Sequence, residues 1–146
     1  MDTDVLLRYS NSSDPVHRLC RSSVAALILA GEPLYIGTQN LIEAWGIATR
    51  PIERGGYGLD VLLARRMVDT FAAPGGFLLL TEPARIYERW RDLVTQYQVL
   101  GRQVHDTRLV ALMLESGVDR ILTLNGDDFK RFREITPVHP TDVPLP

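Results

Sequence analysis

The sequence predicts an α/β protein, a parallel sheet flanked by helices. Short apolar runs alternate with longer stretches of helical period, the pattern left by strands connected through helices. The 146 residues suffice for a single domain with one core, residues 1–146. No internal repeat, low-complexity tract or linker interrupts the alternation.

The chain opens Met1-Asp2-Thr3-Asp4-Val5-Leu6-Leu7, read as the start of a strand–helix unit. Asp14-Pro15 predicts a helix start, with Asp as N-cap and Pro in the first turn, where a missing N–H costs nothing. Val16, Leu19, Cys20, Val24, Leu27 and Ile28 keep a helical period up to Gly31, a C-terminal stop. Leu34-Tyr35-Ile36 predicts a short buried strand. Thr38 then caps a helix with Leu41, Ile42, Trp45 and Ala48 on its apolar side. Arg50-Pro51 ends it, because the residue before proline avoids helical backbone. After the loop Arg54-Gly55-Gly56-Tyr57-Gly58, a helix is expected from Asp60 to Ala72, and Pro74-Gly75-Gly76 breaks the chain.

Phe77-Leu78-Leu79-Leu80 predicts a central strand buried on both faces. Thr81 is expected to cap a helix carrying Ile86, Trp90, Leu93, Val94 and Tyr97 in register. Asp106 opens a helix with Leu109, Val110, Met113 and Leu114, stopped by Gly117. Arg120 to Leu124 predicts the next strand, Asn125-Gly126-Asp127-Asp128 a turn, and Phe129 to Phe132 a short helix. Ile135-Thr136-Pro137-Val138 predicts a last edge strand, since Pro137 cannot donate to a ladder. Trp45 and Trp90 lie on apolar helical faces and are expected to be mostly buried.

Apolar residues make up 45% of the chain and charged residues 23%, the balance of a soluble globular protein. No stretch approaches the roughly eighteen apolar residues of a membrane span. Arg8, Asp14, His17, Arg18 and Arg21 interrupt every early apolar run, so no signal peptide is expected. Cys20 is the only cysteine, which excludes an intramolecular disulfide and reads as a small buried side chain. These features together predict a cytoplasmic protein without a membrane partner. The formal charge of −2 is unlike that of proteins that bind nucleic acid by neutralising phosphates. A carboxylate-rich site that recruits a divalent cation, with local Arg and Lys clusters supplying affinity, would account for part of it.

The acidic and amide groups fall at suggestive places. Asp2 and Asp4 lie at the start of the first unit, and Glu43 in the first turns of the helix after the second strand. Asp106 opens a helix, while Asn125, Asp127 and Asp128 follow directly on a strand. In an open parallel sheet the carboxyl ends of the strands form the ligand crevice. Asp2, Glu43 and the Asn125 turn fall at that end, and Asp106 reaches it if its helix start packs over the same edge. Carboxylates about 4 Å apart, at an effective dielectric near 20, repel by about 4 kcal/mol per pair. Such a cluster takes up protons or binds a cation. Oxygen ligands without Cys or His partners suit Mg²⁺ or Mn²⁺ rather than Zn²⁺. Ions of this kind activate a water and clamp the oxygens of a phosphodiester.

Taken singly, each residue also has an ordinary reading. Asp106 reads as a helix N-cap, Glu43 as an exposed helix residue, Asp128 as a turn residue, Asp4 as a local turn residue and Asn125 as a left-handed turn residue before Gly126. His105 reads as a structural hydrogen-bond donor with no second histidine at metal-ligand spacing, and Ser10, Ser12 and Ser13 form a turn cluster without a nucleophile motif.

Four segments read together resemble the PIN-domain family. Asp2-Thr3-Asp4-Val5-Leu6-Leu7 is similar to its opening motif, with Asp4 where Asn is common. Gln39-Asn40-Leu41-Ile42-Glu43-Ala44-Trp45, followed by Ala48-Thr49-Arg50-Pro51, resembles the second motif with its acidic residue. Val104-His105-Asp106-Thr107-Arg108-Leu109-Val110-Ala111 resembles the third, and Thr123-Leu124-Asn125-Gly126-Asp127-Asp128-Phe129-Lys130-Arg131-Phe132 the fourth. The similarity runs from Asp2 to about Pro140, and four ordered motifs are specific where one alone is not.

The resemblance implies a PIN-like three-layer fold, a central parallel sheet flanked by helices. It implies a metal-dependent endoribonuclease, the toxin of a VapC-type toxin–antitoxin pair, using Mg²⁺ or Mn²⁺. The catalytic acids carry over to Asp2, Glu43 and Asp106. The metal set adds Asn125, where many relatives have Asp, and Asp128 as a possible substitute for it. The implied partners are an RNA substrate, a cognate antitoxin covering the acidic crevice, and a second copy of the chain in a homodimer. Family members usually carry a few apolar residues ahead of the first Asp as the central strand. Here Met1 alone stands there, so that strand is expected to be shortened or to begin further upstream. Two other readings stand beside this one: a catalytically weakened PIN-fold protein that binds RNA or a partner, and a phosphatase-like enzyme of the same architecture.

Overall fold

In the computed structural model, which describes residues 1–73 and 76–144, helices dominate and the strands are short. The elements are α1 (Thr3–Ser10), α2 (His17–Leu29), β1 (Tyr35–Gly37), α3 (Thr38–Thr49), α4 (Val61–Phe71), β2 (Leu78–Leu80), α5 (Ile86–Gln96), α6 (Gln103–Glu115), β3 (Arg120–Leu122) and β4 (Thr136–Val138). Short 3-10 turns lie at Ile52–Arg54, Gly126–Asp128 and Pro140–Asp142. The expected break at Pro74 and Gly75 lies outside the described residues.

The mixed α/β class holds, but the strands form two parallel pairs. β1 pairs with β2, Ile36 opposite Leu79, and β3 pairs with β4, Ile121 opposite Pro137. The N-terminus lies between the two pairs. The Met1 amine donates to the Tyr35 carbonyl at 2.8 Å, and the Asp2 N–H donates to the Leu122 carbonyl at 2.9 Å. Successive amides of a strand point to opposite sides, so Met1-Asp2 sits as the last two residues of a strand between β1 and β3 would. A cavity of about 300 Å³ continues back from Met1, walled by Leu27, Leu34, Tyr35, Leu122 and Val138. Burial pushes the Met1 ammonium down to about 6, partly offset by the Asp2 carboxylate.

The strand–helix unit expected at the start of the chain is, from Thr3 onward, its helix. Asp2 has extended backbone and its carboxylate accepts the Thr3 N–H at 2.7 Å, which starts α1 at once. Val5, Leu6 and Leu7 are all buried, so α1 has core on several sides, and consecutive apolar residues there mark enclosure and not extension. Further along, Asp14 does not cap α2. Its carboxylate closes a turn onto the Val16 N–H at 3.0 Å, and α2 begins at His17.

The Phe77–Leu80 strand is not central. Among the described residues β2 pairs with β1 alone, and Leu78 and Leu79 are about half exposed at 52% and 49%. A run of four apolar residues does not by itself tell an edge strand from a buried one. Thr81 caps nothing, since α5 starts at Ile86. α4 runs as expected from its cap Asp60, whose carboxylate accepts the Leu63 N–H at 2.8 Å. The Asn125 turn is present, but its 3-10 helix covers Gly126–Asp128, ahead of the Phe129–Phe132 helix expected. β4 with Pro137 is the edge strand that proline demands.

The buried apolar side chains fall into two clusters. One joins α1, α2 and β1 with Ala44, Phe71 and Phe77. The other joins α5, α6 and β3 with Phe129, Phe132 and Ile135. Trp90 is half-buried beside the second, its indole N–H on the Val104 carbonyl at 3.0 Å, and Trp45 is half-buried as well. At Gly37, a Cβ would meet Leu112 Cδ2 of α6 at 2.5 Å. The missing side chain lets the β1–α3 junction approach α6, the contact that assembles the site. Among the described residues no helix is long and apolar enough to cross a membrane.

Candidate functional site

The first turns of α1, α3 and α6 and the segment after β3 meet where the N-terminus enters the fold. Asp2 is held on both oxygens: Oδ1 accepts the Thr3 N–H and Oδ2 accepts the Thr123 hydroxyl at 2.7 Å. Thr123 is fully buried, and its Oγ1 also accepts the Asn125 N–H at 3.1 Å. Burial raises Asp2 above the ordinary carboxylate range. The Thr123 and Thr3 hydrogen bonds offset this in part, and the Glu43 charge adds to it.

Glu43 is fixed from two sides. Its Oε2 accepts the Thr3 hydroxyl at 2.5 Å and its Oε1 accepts Gln39 Nε2 at 2.8 Å. Asn40, fully buried, donates to Thr3 Oγ1 at 3.0 Å and accepts the Gly37 N–H at 2.8 Å through its own oxygen. The backbone of the β1–α3 turn is thus linked through Asn40 and Thr3 to the Glu43 carboxylate.

Asp106 lies in the first turn of α6 but does not cap it; the cap position is Arg102. Among the described residues it makes no side-chain hydrogen bond. Burial pushes it up to about 6, followed by the charges of Asp2, Asp128 and Glu43. Asp4 is not a turn residue either: it lies in the first turn of α1 and is half-buried. Burial, then the Asp2 charge, push it up to about 7. The amides of Leu124 and Val5 counter this in part without giving Oδ1 a well-formed hydrogen bond, and that oxygen is buried with no partner among the described residues. Its Oδ2 accepts Asn125 Nδ2 at 3.0 Å.

All five residues singled out in the sequence therefore share one region. Asp106 responds to Asp2, Glu43 and Asp128, and Asn125 reaches the group through Asp4. Asn125 turns its amide nitrogen, not its oxygen, to the carboxylates, because Asp4 occupies the place that faces it. Among the described residues, none of Asp2, Asp4, Glu43, Asp106 and Asp128 forms a salt bridge. As the side chains stand, no group of three or more His, Cys, Asp or Glu among the described residues is placed to hold a metal ion. Both oxygens of Asp2 and of Glu43 face protein donors.

Sequence reasoning missed Thr3, Gln39, Asn40, Arg108 and Thr123, and it gave Asp4 no part. One signal was available. Gln39-Asn40 places two adjacent amides at the start of a helix that packs into the core, and a buried polar side chain requires a partner.

The chemistry of the arrangement is that of an un-neutralised carboxylate group at the edge of the sheet pairs. Asp4 and Asp106 hold protons more readily than free carboxyls, and the donor atoms are oxygens throughout. No protein-family model matches the chain, and no characterised protein matches it in sequence.

Proposed function

We propose that the chain is a PIN-type, metal-dependent endoribonuclease of the cytoplasm, the toxin of a VapC-type toxin–antitoxin pair, hydrolysing RNA phosphodiester bonds. The observation that carries this reading is the convergence of Asp2, Glu43 and Asp106, with Asp4 and Asp128 near and, among the described residues, no salt bridge to any of them. The donor set fits Mg²⁺ or Mn²⁺ in its chemistry: oxygens only, one of them the partnerless Asp4 Oδ1. Asp2, Glu43 and Asp106 would hold the ion, with Asn125 and Asp128 at its margin. Bound there, it would supply charge for the phosphodiester and a more acidic water. Thr3, Thr123 and Gln39 keep Asp2 and Glu43 in place, and Asp106, free of side-chain partners, is the carboxylate able to take a proton from water.

The test is cleavage of RNA by the purified protein in excess EDTA and after titration with Mg²⁺ or Mn²⁺. Cleavage is expected only with metal, and more readily with Mn²⁺. Cleavage undiminished in EDTA would remove the metal from the reaction. One observation favours the second reading, a weakened PIN-fold protein that binds RNA or a partner: Asn125 offers the site an amide donor where an oxygen ligand was expected. That reading is supported by RNA binding without cleavage under any metal.

On the same reading, the two strand pairs are halves of one central sheet with Met1-Asp2 at the joint. The alternating hydrogen bonds to Tyr35 and Leu122, and the cavity behind Met1, support it. Three or four apolar residues joined ahead of Met1 should then raise the thermal midpoint by several degrees, while Gly and Ser residues should not. Equal midpoints for the two extensions would count against a single sheet. The partners on this reading are the RNA substrate, an antitoxin and a second copy of the chain. Exposed Ile42 on α3 and Val61, Leu62 and Leu63 on α4 are apolar surface that a protein partner would cover.

A further inference from the structure

We propose that Gln39 is a positioning residue for the acidic site and that Arg108 holds its amide from the opposite side. The proposal rests on the reading of Glu43 and Asp106 as cation ligands, and it names what fixes one relative to the other. Gln39 lies in the first turn of α3 and is only 9% exposed. Its Nε2 donates to Glu43 Oε1 at 2.8 Å and to the His105 carbonyl at 2.9 Å. Its Oε1 accepts from the Arg108 guanidinium at 3.0 Å. Glu43 is one turn further along α3, while His105 and Arg108 flank Asp106 on α6. A single amide therefore spans from the α3 carboxylate to the turn of α6 that carries Asp106.

The orientation of that amide is forced. Flipped, it would set its oxygen against the Glu43 carboxylate and the His105 carbonyl, three acceptors with no proton between them, and its NH₂ against a guanidinium. Glu43, His105 and Arg108 together permit one orientation, and Arg108 is itself held by Glu82. The other oxygen of Glu43 is held by Thr3 of α1, so Gln39 is the link that ties this carboxylate to α6.

Neutrality is the second part of the argument. A lysine or arginine at position 39 would also restrain Glu43, but it would cancel the charge that attracts a cation. An amide holds the carboxylate and leaves its charge available. Outer partners of this kind orient metal ligands, and losing one typically weakens metal binding by about 10–100-fold.

The experiment uses the full chain with two readouts. The first, without metal, is solvent exchange of the Gln39 side-chain amide protons followed by ¹⁵N NMR. Exchange slower than that of an exposed glutamine is expected in the wild type and in Arg108→Lys, which keeps a donor. In Arg108→Met, which loses the donor on the amide oxygen but keeps the two acceptors of the NH₂, it should be faster than in the wild type and still slower than the exposed rate. The second is affinity for Mn²⁺ alone, followed by the paramagnetic resonance of the free ion. Gln39→Met, which keeps length and burial, should weaken it by about 10–100-fold. Arg108→Met should weaken it by less, and Arg108→Lys should stay near wild type. Equal Mn²⁺ affinity in wild type and Gln39→Met would overturn the proposal. Where Gln39→Met does not fold, Arg108→Met at a half-exposed position decides in its place. A wild type that binds no Mn²⁺ would overturn the cation reading, and the amide exchange then decides Gln39 alone: exchange as fast as in an exposed glutamine overturns the positioning role too.

Discussion

Asp106→Asn is expected to reduce metal-dependent RNA cleavage by at least about a hundredfold, the scale of a lost acid–base group, while raising the thermal midpoint at neutral and alkaline pH. The two effects have one cause. Asp106 is a half-buried carboxylate without a side-chain partner, pushed up to about 6 by burial and by Asp2, Asp128 and Glu43. Its charge is unfavourable in the folded protein. A raised folded value means the penalty is absent below the ordinary carboxylate range and fully present above about 6. Asparagine removes the charge and keeps the shape. A shift of one unit corresponds to about 1.4 kcal/mol, and the group's exposure to solvent reduces the two-unit shift to about 1 kcal/mol. For a chain of this size that is about 3–5 °C, seen at pH 8 and absent near pH 4. Thermal melts at both pH values and a cleavage assay with Mn²⁺ check it. A large loss of stability with cleavage intact would make Asp106 a structural residue and remove it from the chemistry.

Asp106 also shows what the sequence made legible. The spacing of acidic residues sets it with Asp2 and Glu43, and in the structure it lies near enough to feel the charge of both. Its local role was misread: Asp106 sits inside the first turn of α6 and caps nothing. Capping depends on backbone angles at one residue, which composition near a helix start does not fix. The same holds for Asp14, which closes a turn onto Val16 just before α2. The sheet was the least legible part. Leu78-Leu79-Leu80 has the composition of a buried strand, yet burial depends on a neighbour that pairs with it, and among the described residues β2 has one neighbour. The hydroxyls and amides around the acids were missed for a different reason. Thr3, Gln39, Asn40 and Thr123 have no periodic signature, and they become informative only when a structure shows each one buried against a carboxylate or its neighbour.

The pH dependence of stability should invert when Mn²⁺ is added. Without metal, Asp4 and Asp106 have folded values of about 7 and about 6, above the ordinary 3.8. Each therefore contributes stability that is fully present below 3.8 and lost as pH rises through the folded value. Between pH 4 and 7 the metal-free midpoint should fall. The Met1 amine works in the opposite sense over a higher range. Its value is lowered from 8.0 to about 6, so its contribution is present above 8 and lost as pH falls through 6, which flattens the curve between 6 and 8. Mn²⁺ binds the ionised carboxylates only, so it should lift the midpoint at pH 8 and leave it unchanged at pH 4.5. At a hundred times the dissociation constant the lift corresponds to about 2.7 kcal/mol, several degrees or more. Asn125→Asp sharpens the contrast. It replaces the amide that donates to Asp4 Oδ2 at 3.0 Å with another carboxylate. Without metal the variant should melt lower than wild type at pH 8, and with Mn²⁺ it should gain more, with tighter binding and higher cleavage at low metal. Melting curves at pH 4.5 and 8, with and without Mn²⁺, separate the possibilities. A midpoint that Mn²⁺ leaves unmoved at pH 8 in both proteins would mean that the carboxylates share a region without sharing a cation, and an Asn125→Asp variant that loses activity with unchanged Mn²⁺ affinity would make Asn125 a turn residue whose amide serves Asp4 alone.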